Sequence, residues 1–189
     1  MKKVRKGHYG YFTYRKKMEF LKAAFILVGI VILLVIGIVA TKSRKNLMTI
    51  AAVVSVLPFA NVLVIWIALL PFHSRPKEEE EEIRSLIGNG VYSTELALTR
   101  KNSKTILLDY VYVHPNGVFC FTSDAALDER EAERYIKEML TGNELSANVK
   151  IMKDLRKFRM RVKDLEPVSR SECEEDLLRI EGVLYAISL

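Results

Sequence analysis

The chain has little cysteine and no grouping of the residues that bind zinc. Its two cysteines, Cys120 and Cys173, lie 53 residues apart. No Cys-x-x-Cys pair occurs, and the three histidines (His8, His73 and His114) fall in separate regions. This distribution excludes a disulfide-rich scaffold and a zinc finger. We therefore predict two buried, reduced thiols, no metal and no cofactor.

Charge is absent from two long stretches near the N-terminus. Residues 23–40 contain no polar side chain, and residues 47–72 contain no charged one. At about 1.5 Å per residue, the first stretch reaches about 27 Å as a helix, close to the hydrocarbon thickness of a bilayer. The pattern predicts a membrane α-helical hairpin over residues 23–72, with two transmembrane helices at about 23–41 and 47–71. A cleaved signal peptide and a buried core helix are the rival interpretations, and the length of the stretches disfavours both.

The second stretch is less apolar than the first, since it contains Pro58 and Asn61 and, further along, Trp66. Proline is tolerated in membrane helices, and asparagine can hydrogen-bond to a neighbouring helix. We predict a kinked span in which Pro58 and Asn61 form an intramembrane helix contact. A conduit or partner-binding site at these two residues is the alternative. No ionisable residue lies within either stretch to indicate ion transport.

Acidic residues are almost missing before residue 73. Residues 1–46 carry eleven Lys and Arg against the single acid Glu19, whereas residues 73–189 carry 18 basic and 22 acidic side chains. Eight cations precede the first span and three lie between the spans, so the positive-inside rule predicts a cytoplasmic N-terminus. Two spans return the chain to the same side. We expect a multi-pass protein of the cell membrane with both termini cytoplasmic.

Residues 1–22 form a basic head in which cations alternate with aromatic residues. Beside a span, this mixture favours anionic lipid headgroups, at roughly 1 kcal/mol per cation. Single-stranded nucleic acid is the alternative partner, and the adjacent span disfavours it. The residues expected to face lipid are Lys2, Lys3, Arg5, Lys6, Arg15, Lys16, Lys17, Lys22 and Trp66.

The composition changes after the hairpin to that of a soluble domain. Residues 73–85 contain five consecutive glutamates and indicate an acidic linker, or the exposed start of a helix. Residues 86–189 predict a small cytoplasmic α+β domain with a mainly antiparallel sheet. Three sequential antiparallel strands are expected over residues 87–123, with a tight turn at Asn116-Gly117.

The segments that follow alternate between helix and strand signals. Residues 123–142 have the spacing of an amphipathic helix, and residues 147–152 predict a short fourth strand. Residues 153–167 fit either a helix or a strand, and we prefer the helix because its apolar face is longer. A further helix over 169–182 ends at a glycine, and residues 183–189 predict a closing strand.

Seven cations and one acid lie within residues 150–163. We interpret them as a patch facing the inner leaflet of the membrane or an acidic partner. A solvated helix face is the alternative. The cations are Lys150, Lys153, Arg156, Lys157, Arg159, Arg161 and Lys163.

Catalytic motifs are missing: the chain has no P-loop, dinucleotide fingerprint, Gly-x-Ser-x-Gly or His-Glu-x-x-His. The stretch "DYVYVHPNGVFCFTS" resembles the core hairpin of nuclease-related membrane-associated domains. In that family an acid precedes the strand pair, and an acid-x-Lys sequence on the second strand holds a divalent metal. The matching "FCFTSD" has no lysine. A membrane-bound hydrolase or degenerate nuclease would have Asp109, His114 and Asp124 as its candidate catalytic residues.

The stretch "TKSRKNLMTIAAVVSVLPFANVLV" (residues 41–64) resembles the start of the second span in small, uncharacterised two-span bacterial membrane proteins. This resemblance implies a topology and no activity. The sequence therefore favours a membrane-anchored cytoplasmic binding or regulatory module, with a protein partner or self-association. The alternatives are the hydrolase above and a small transport or accessory subunit that acts through the hairpin.

Overall fold

The computed structural model describes residues 4–42, 47–87, 91–100, 104–165 and 174–189. The chain divides into two compact units. Phe12–His73 form the first, which we call the helical unit. Met1–Tyr11 and Ser74–Leu189 form the second, the sheet unit. The N-terminal residues therefore fold together with residues that follow the hairpin.

Two stretches of the chain are long and apolar enough to cross a membrane, Tyr11–Ala40 and Leu47–Leu69, and all but Tyr11 belong to the helical unit. Only 17% and 6% of their apolar windows are buried, whereas the core helix of a soluble protein would be mostly buried. The helices are α1 (Tyr11–Thr41), α2 (Leu47–Val54) and α3 (Val56–Leu69). Of the cations between the two stretches, Lys42 is exposed, and Arg44 and Lys45 lie outside the described residues.

The second apolar stretch is interrupted at Ser55, between α2 and α3. Pro58 lacks the N–H that would donate to the carbonyl of Val54, four residues earlier, and its ring crowds that carbonyl. Ser55 keeps a helical backbone (φ −68°, ψ −12°), and its N–H still donates to the Ala51 oxygen at 3.0 Å. The irregularity expected from the proline therefore appears one turn before it.

The sheet unit is a four-stranded mixed sheet with helices on both faces. The strand order is β1-β2-β3-β4; the first three strands are antiparallel, and β4 is parallel to β3. The expectation of a mainly antiparallel sheet was wrong because α5 carries the chain across between β3 and β4 and restores its direction. The elements are α4 (Lys77–Ile87), β1 (Val91–Leu98), β2 (Ile106–His114), β3 (Gly117–Phe121), α5 (Glu129–Thr141), β4 (Val149–Met152), α6 (Leu155–Lys163) and α7 (Glu174–Ala186).

Each face of the sheet has its own apolar core. Helices α5 and α7 cover one face, where Ile136 and Leu184 are fully buried. Helices α4 and α6 cover the other, where Ile83 and Phe158 are fully buried. The acidic segment 73–85 is thus largely a helix packed on the sheet and not a free spacer.

The thiol of Cys120 is buried and free, as expected, and burial raises its pKa. Cys173 lies outside the described residues.

The expected closing strand over residues 183–189 is also wrong. Helix α7 continues through Gly182 to Ala186, and Ser188 makes a single bridge with Leu98. Leu177 and Leu184 are buried at helical spacing on either side of the glycine. Packing of this apolar face outweighs the helix-breaking tendency of one glycine.

The hairpin between β2 and β3 is confirmed, but its turn lies one residue earlier than expected. His114 pairs with Gly117, so Pro115 and Asn116 form the loop. Gly117 has φ +139°, and a Cβ there would lie 2.3 Å from the Asn148 oxygen. That oxygen accepts from the Val118 N–H at 2.7 Å. A glycine is required where β3 meets the segment leading to β4.

Gly117→Ala should lower the free energy of unfolding by about 1–3 kcal/mol, since it strains the backbone and crowds Asn148. Gly182→Ala is the matched control: a Cβ there meets nothing within 4 Å, so it should be neutral or stabilise by up to about 1 kcal/mol. Thermal unfolding of the full chain in detergent measures both. Equal midpoints for the two variants would contradict this account.

Candidate functional site

An ion pair at the start of α4 defines the candidate site. The Arg75 guanidinium donates through Nε and Nη2 to the two carboxylate oxygens of Glu79, each at 2.9 Å. Glu79 Oε1 also accepts from the Tyr110 hydroxyl on β2 at 2.8 Å. The Arg75 Cζ lies 5.8 Å from the centre of the Phe121 ring on β3. A bidentate pair with a third donor is strong and directional, and here it joins α4 to two strands.

The surroundings of this pair favour the charged form of both side chains. Burial acts to raise the pKa of Glu79, but hydrogen bonds from Arg75 and Tyr110 outweigh it, and the net pKa lies below its ordinary value. The hydrogen bond to Glu79 raises the pKa of Arg75. Burial, followed by the bond to Glu79, raises the pKa of the Tyr110 hydroxyl. The pair is therefore ionised at neutral pH.

Two more buried acids, Glu95 and Asp109, lie on the neighbouring strands β1 and β2. The register pairs Thr94 with Tyr110 and Leu96 with Leu108, so Glu95 on β1 stands opposite Asp109 on β2. Glu95 and Asp109 are only 4% and 3% exposed. Asp109 accepts from the Ser123 N–H at 2.6 Å, yet burial raises its pKa above the ordinary value.

The sheet is locally irregular at these two acids. Leu108 packs on the α5 face and Tyr110 on the α4 face, although residues two apart on a regular strand share a face. Opposite this reversal, Glu95 has φ +56°, in the left-handed region that favours glycine. Such strain persists only where the surroundings enforce it. The irregularity therefore marks this part of the sheet as a candidate site.

Residues 4–10, which we call the N-terminal strap, lie against the strained strand. The Thr94 N–H donates to the Gly7 oxygen at 2.9 Å, and the Gly10 N–H donates to Glu95 Oε1 at 2.8 Å. The Tyr9 hydroxyl donates to the Arg75 backbone oxygen at 2.8 Å. The strap thus contacts both the ion pair and the buried acids.

Lys6 belongs to the same strap, and its contacts differ from the expected exposure to lipid. Its ammonium donates to the backbone oxygens of Tyr185 at 3.1 Å and Ser188 at 2.8 Å. Gly7 packs closely under the Tyr185 ring. Lys6 therefore fastens the N-terminus to the C-terminus within the sheet unit.

The three candidate catalytic residues are not brought together. His114 lies at the hairpin end of β2, four residue pairs from Tyr110, or about 13 Å along the strand. There its Nδ1 accepts from the Asn116 N–H at 3.1 Å. Asp124 accepts from Lys104 Nζ at 2.8 Å and from a backbone N–H, and the lysine lowers its pKa. Asp109 lies beside Ser123, away from His114.

The residues present do not fit the divalent metal that the nuclease-like resemblance implies. Among the residues that the structure describes, no group of three or more His, Cys, Asp and Glu has the geometry to hold a metal ion. The stretch that matches the second strand of that family, residues 119–124, contains no lysine.

The basic patch divides into two groups. Lys150 pairs with Glu133 at 3.1 Å, Arg159 pairs with Glu82 at 2.8 Å, and Lys153 donates to a backbone oxygen at 2.9 Å. These three cations serve the fold of the sheet unit. The other four, Arg156, Lys157, Arg161 and Lys163, are exposed on α6.

The remaining residues expected at the membrane lie mostly on the helical unit. Lys16 donates to the Leu70 oxygen at 2.9 Å, and Lys22 pairs with Glu19 at 2.7 Å. The rings of Phe20 and Trp66 lie 5.7 Å apart.

Arg15 and Lys17 also lie on α1, and Arg5 is an exposed residue of the strap. Pro58 and Asn61 are exposed on α3, so neither is buried in a helix contact in this structure. Lys2 and Lys3 lie outside the described residues.

Comparison with known proteins finds no match: no protein-family model, curated protein or solved structure is similar to this chain.

The ion pair was not predicted from the sequence, although the sequence contains a signal for it. Arg75 and Glu79 stand four residues apart on either side of Pro76, the spacing of an intrahelical pair at a helix start. Five consecutive glutamates hide which one faces the sheet. The strap has a weaker signal in Gly7 and Gly10, both of which have positive φ.

Tyr110→Phe should lower the free energy of unfolding by about 1.5–3 kcal/mol, because it removes a hydrogen bond to an ionised carboxylate. Tyr92→Phe is the matched control, because the Tyr92 hydroxyl is buried without a hydrogen-bond partner among the described residues. That change should be neutral or slightly stabilising. Denaturant unfolding in detergent compares the two. A Tyr92→Phe loss as large as that of Tyr110→Phe would contradict the assignment.

The ion pair should also make the stability of the fold depend on pH. A folded-state pKa below the ordinary 4.5 of Glu79 adds stability that is present above that pH and lost as the pH falls through the folded value. The stability difference between the wild type and Arg75→Met should therefore be largest near neutral pH and shrink below about 4.5. Thermal midpoints measured across this range test it. A difference that does not change with pH would show that Arg75 acts through packing alone.

Proposed function

We propose that the protein is a membrane-anchored binding or regulatory module, in which the helical unit inserts in the cell membrane and the sheet unit acts in the cytoplasm. The observation that carries this proposal is that the sheet unit is built from two separate segments of the chain. It combines residues 4–11 with residues 74–189, and the Thr94–Gly7 and Lys6–Ser188 hydrogen bonds join them. A folded unit occupies one side of a membrane. Residues 12–73 must then leave and return to that side, and two apolar helical stretches provide the crossings.

The cation distribution supports the cytoplasmic side. Eight Lys and Arg precede residue 23, where the uncharged run begins, compared with three between the two uncharged runs. Lys6 is held within the sheet unit, so it no longer counts among the cations near the headgroups. The cations before the first apolar run still outnumber those between the runs, and the expected orientation does not change. Anionic lipid headgroups are the partner proposed for the exposed cations near the membrane.

The geometry of the sheet unit supports binding or regulation over hydrolysis. Asp109, His114 and Asp124 do not converge, and Asp124 is neutralised by Lys104. Arg75 lies two residues beyond the end of the helical unit. Its guanidinium binds Glu79, and its backbone oxygen accepts a hydrogen bond from the Tyr9 hydroxyl. The ion pair thus lies where both chain segments enter the sheet unit. Such a position suits a module that reports on, or responds to, its membrane anchor, with a protein partner or a second copy as its target.

The topology is tested with reporter fusions. A cytoplasmic reporter should be active after Leu189 and also when it precedes residue 1, and a periplasmic reporter should be inactive at both ends. The protein should stay with the membranes after alkaline carbonate extraction. Activity of the periplasmic reporter at either end, or release by carbonate, would overturn the proposal.

The partner is sought by crosslinking in intact membranes, followed by gentle solubilisation. The wild type should yield a stoichiometric protein partner or a homo-oligomer. Arg75→Met, which leaves the apolar stretches intact, should reduce that yield. A monomer without partners in several mild detergents would count against a binding module.

A further inference from the structure

Helix α6 presents four cations around one apolar side chain. Phe158 and Val162 face the sheet and are buried. At about 100° per residue, the centre of the opposite side falls at Met160. Arg156, Lys157 and Lys163 flank it, Arg161 lies further to one side, and all five residues are exposed. We call these five residues the basic arc. Of the nearest acids in sequence, Asp154 caps the start of the helix through its carboxylate, whereas Asp164 ends the helix through its backbone N–H and is exposed.

The cations of the arc have little to neutralise them within the sheet unit. Among the described residues, Arg156, Lys157 and Lys163 form no ion pair, whereas Arg159 pairs with Glu82. The Arg161 guanidinium lies 5.0 Å from the centre of the Phe119 ring, which leaves its charge in place. Like charges at helical spacing repel one another. An arrangement of this kind is stabilised by an anionic partner.

Met160 restricts which anionic partner fits. Its side chain is 59% exposed at the centre of the arc, where a purely polar acidic surface would leave it unmatched. A lipid bilayer offers both components, since phosphates meet the surrounding cations while the flexible thioether enters the acyl boundary. Long basic side chains reach headgroups while their stems cover apolar surface.

We propose that the basic arc of α6 binds the anionic lipid surface of the membrane that anchors the protein. This inference rests on the proposed anchoring. Once the apolar stretches are inserted, the tether keeps α6 at a high effective concentration near lipid, so a modest intrinsic affinity is enough. Each cation near an anionic surface changes the bound-to-free ratio by roughly fivefold.

The experiment places a fluorophore at Met160→Cys in the full chain, reconstituted in nanodiscs of phosphatidylcholine with or without phosphatidylglycerol. Cys173→Ser removes one background thiol, and Cys120 remains because it is fully buried. The emission should shift to the blue, and nitroxide-labelled lipid should quench it, only in the discs that contain phosphatidylglycerol. The same label at Leu178→Cys is the matched control, because Leu178 is 50% exposed on α7, outside the arc. Its emission should be the same in both kinds of disc.

A second variant separates charge from packing. Replacing all four cations of the arc by glutamine leaves the buried face of α6 intact and should abolish the quenching by labelled lipid, as should high salt. Equal emission in the two kinds of disc, or quenching that survives the four substitutions, would overturn the proposal. Failure of the chain to insert into nanodiscs would instead overturn the proposed anchoring.

Discussion

The bidentate pair between Arg75 and Glu79 is the interaction on which the arrangement of the sheet unit depends. It fixes the start of α4 against β2 through Tyr110 and against β3 through the Phe121 ring. The backbone oxygen of the same arginine accepts a hydrogen bond from the Tyr9 hydroxyl. One residue thereby orients the helix that covers the sheet and the strap that precedes the apolar segment. Removing either partner would leave a partly buried charge without its counter-ion, which is destabilising.

Three carboxylates of this region are each held by a different group. A divalent metal requires carboxylates that converge on a shared point, and a carboxylate acting as a general base must be free to reach the proton that it takes. Glu79 is fully occupied by its arginine and Tyr110, Asp109 by Ser123, and Asp124 by Lys104. Glu79, Asp109 and Asp124 thus each have a separate partner. What remains is a strained, buried polar junction between the sheet and the two segments that lead to the apolar helices.

The sequence predicts those features that depend on a single segment. An uncharged run indicates the apolar helices, glycine indicates the β2–β3 hairpin, and helical spacing indicates α5. It fails where the answer depends on distant residues. The direction of β4 depends on the crossover made by α5, and the continuation of α7 through Gly182 depends on how Leu177 and Leu184 pack. The choice of Glu79 among five glutamates depends on Arg75 and on Tyr110, which is 31 residues away.

The discontinuous sheet unit has a consequence for how it forms. The strap is made first, but its partners Thr94, Glu95 and Tyr185 follow the whole apolar segment. Strap docking therefore waits until residues 12–73 have been synthesised and β1 and α7 are in place. Contacts between residues this far apart in sequence close a long loop, which costs conformational entropy. The contacts of the docked strap must offset that cost. Under the proposed anchoring, insertion of both apolar helices from one side would return the chain to its strap and lower this cost. Completion of the sheet unit would then follow that insertion.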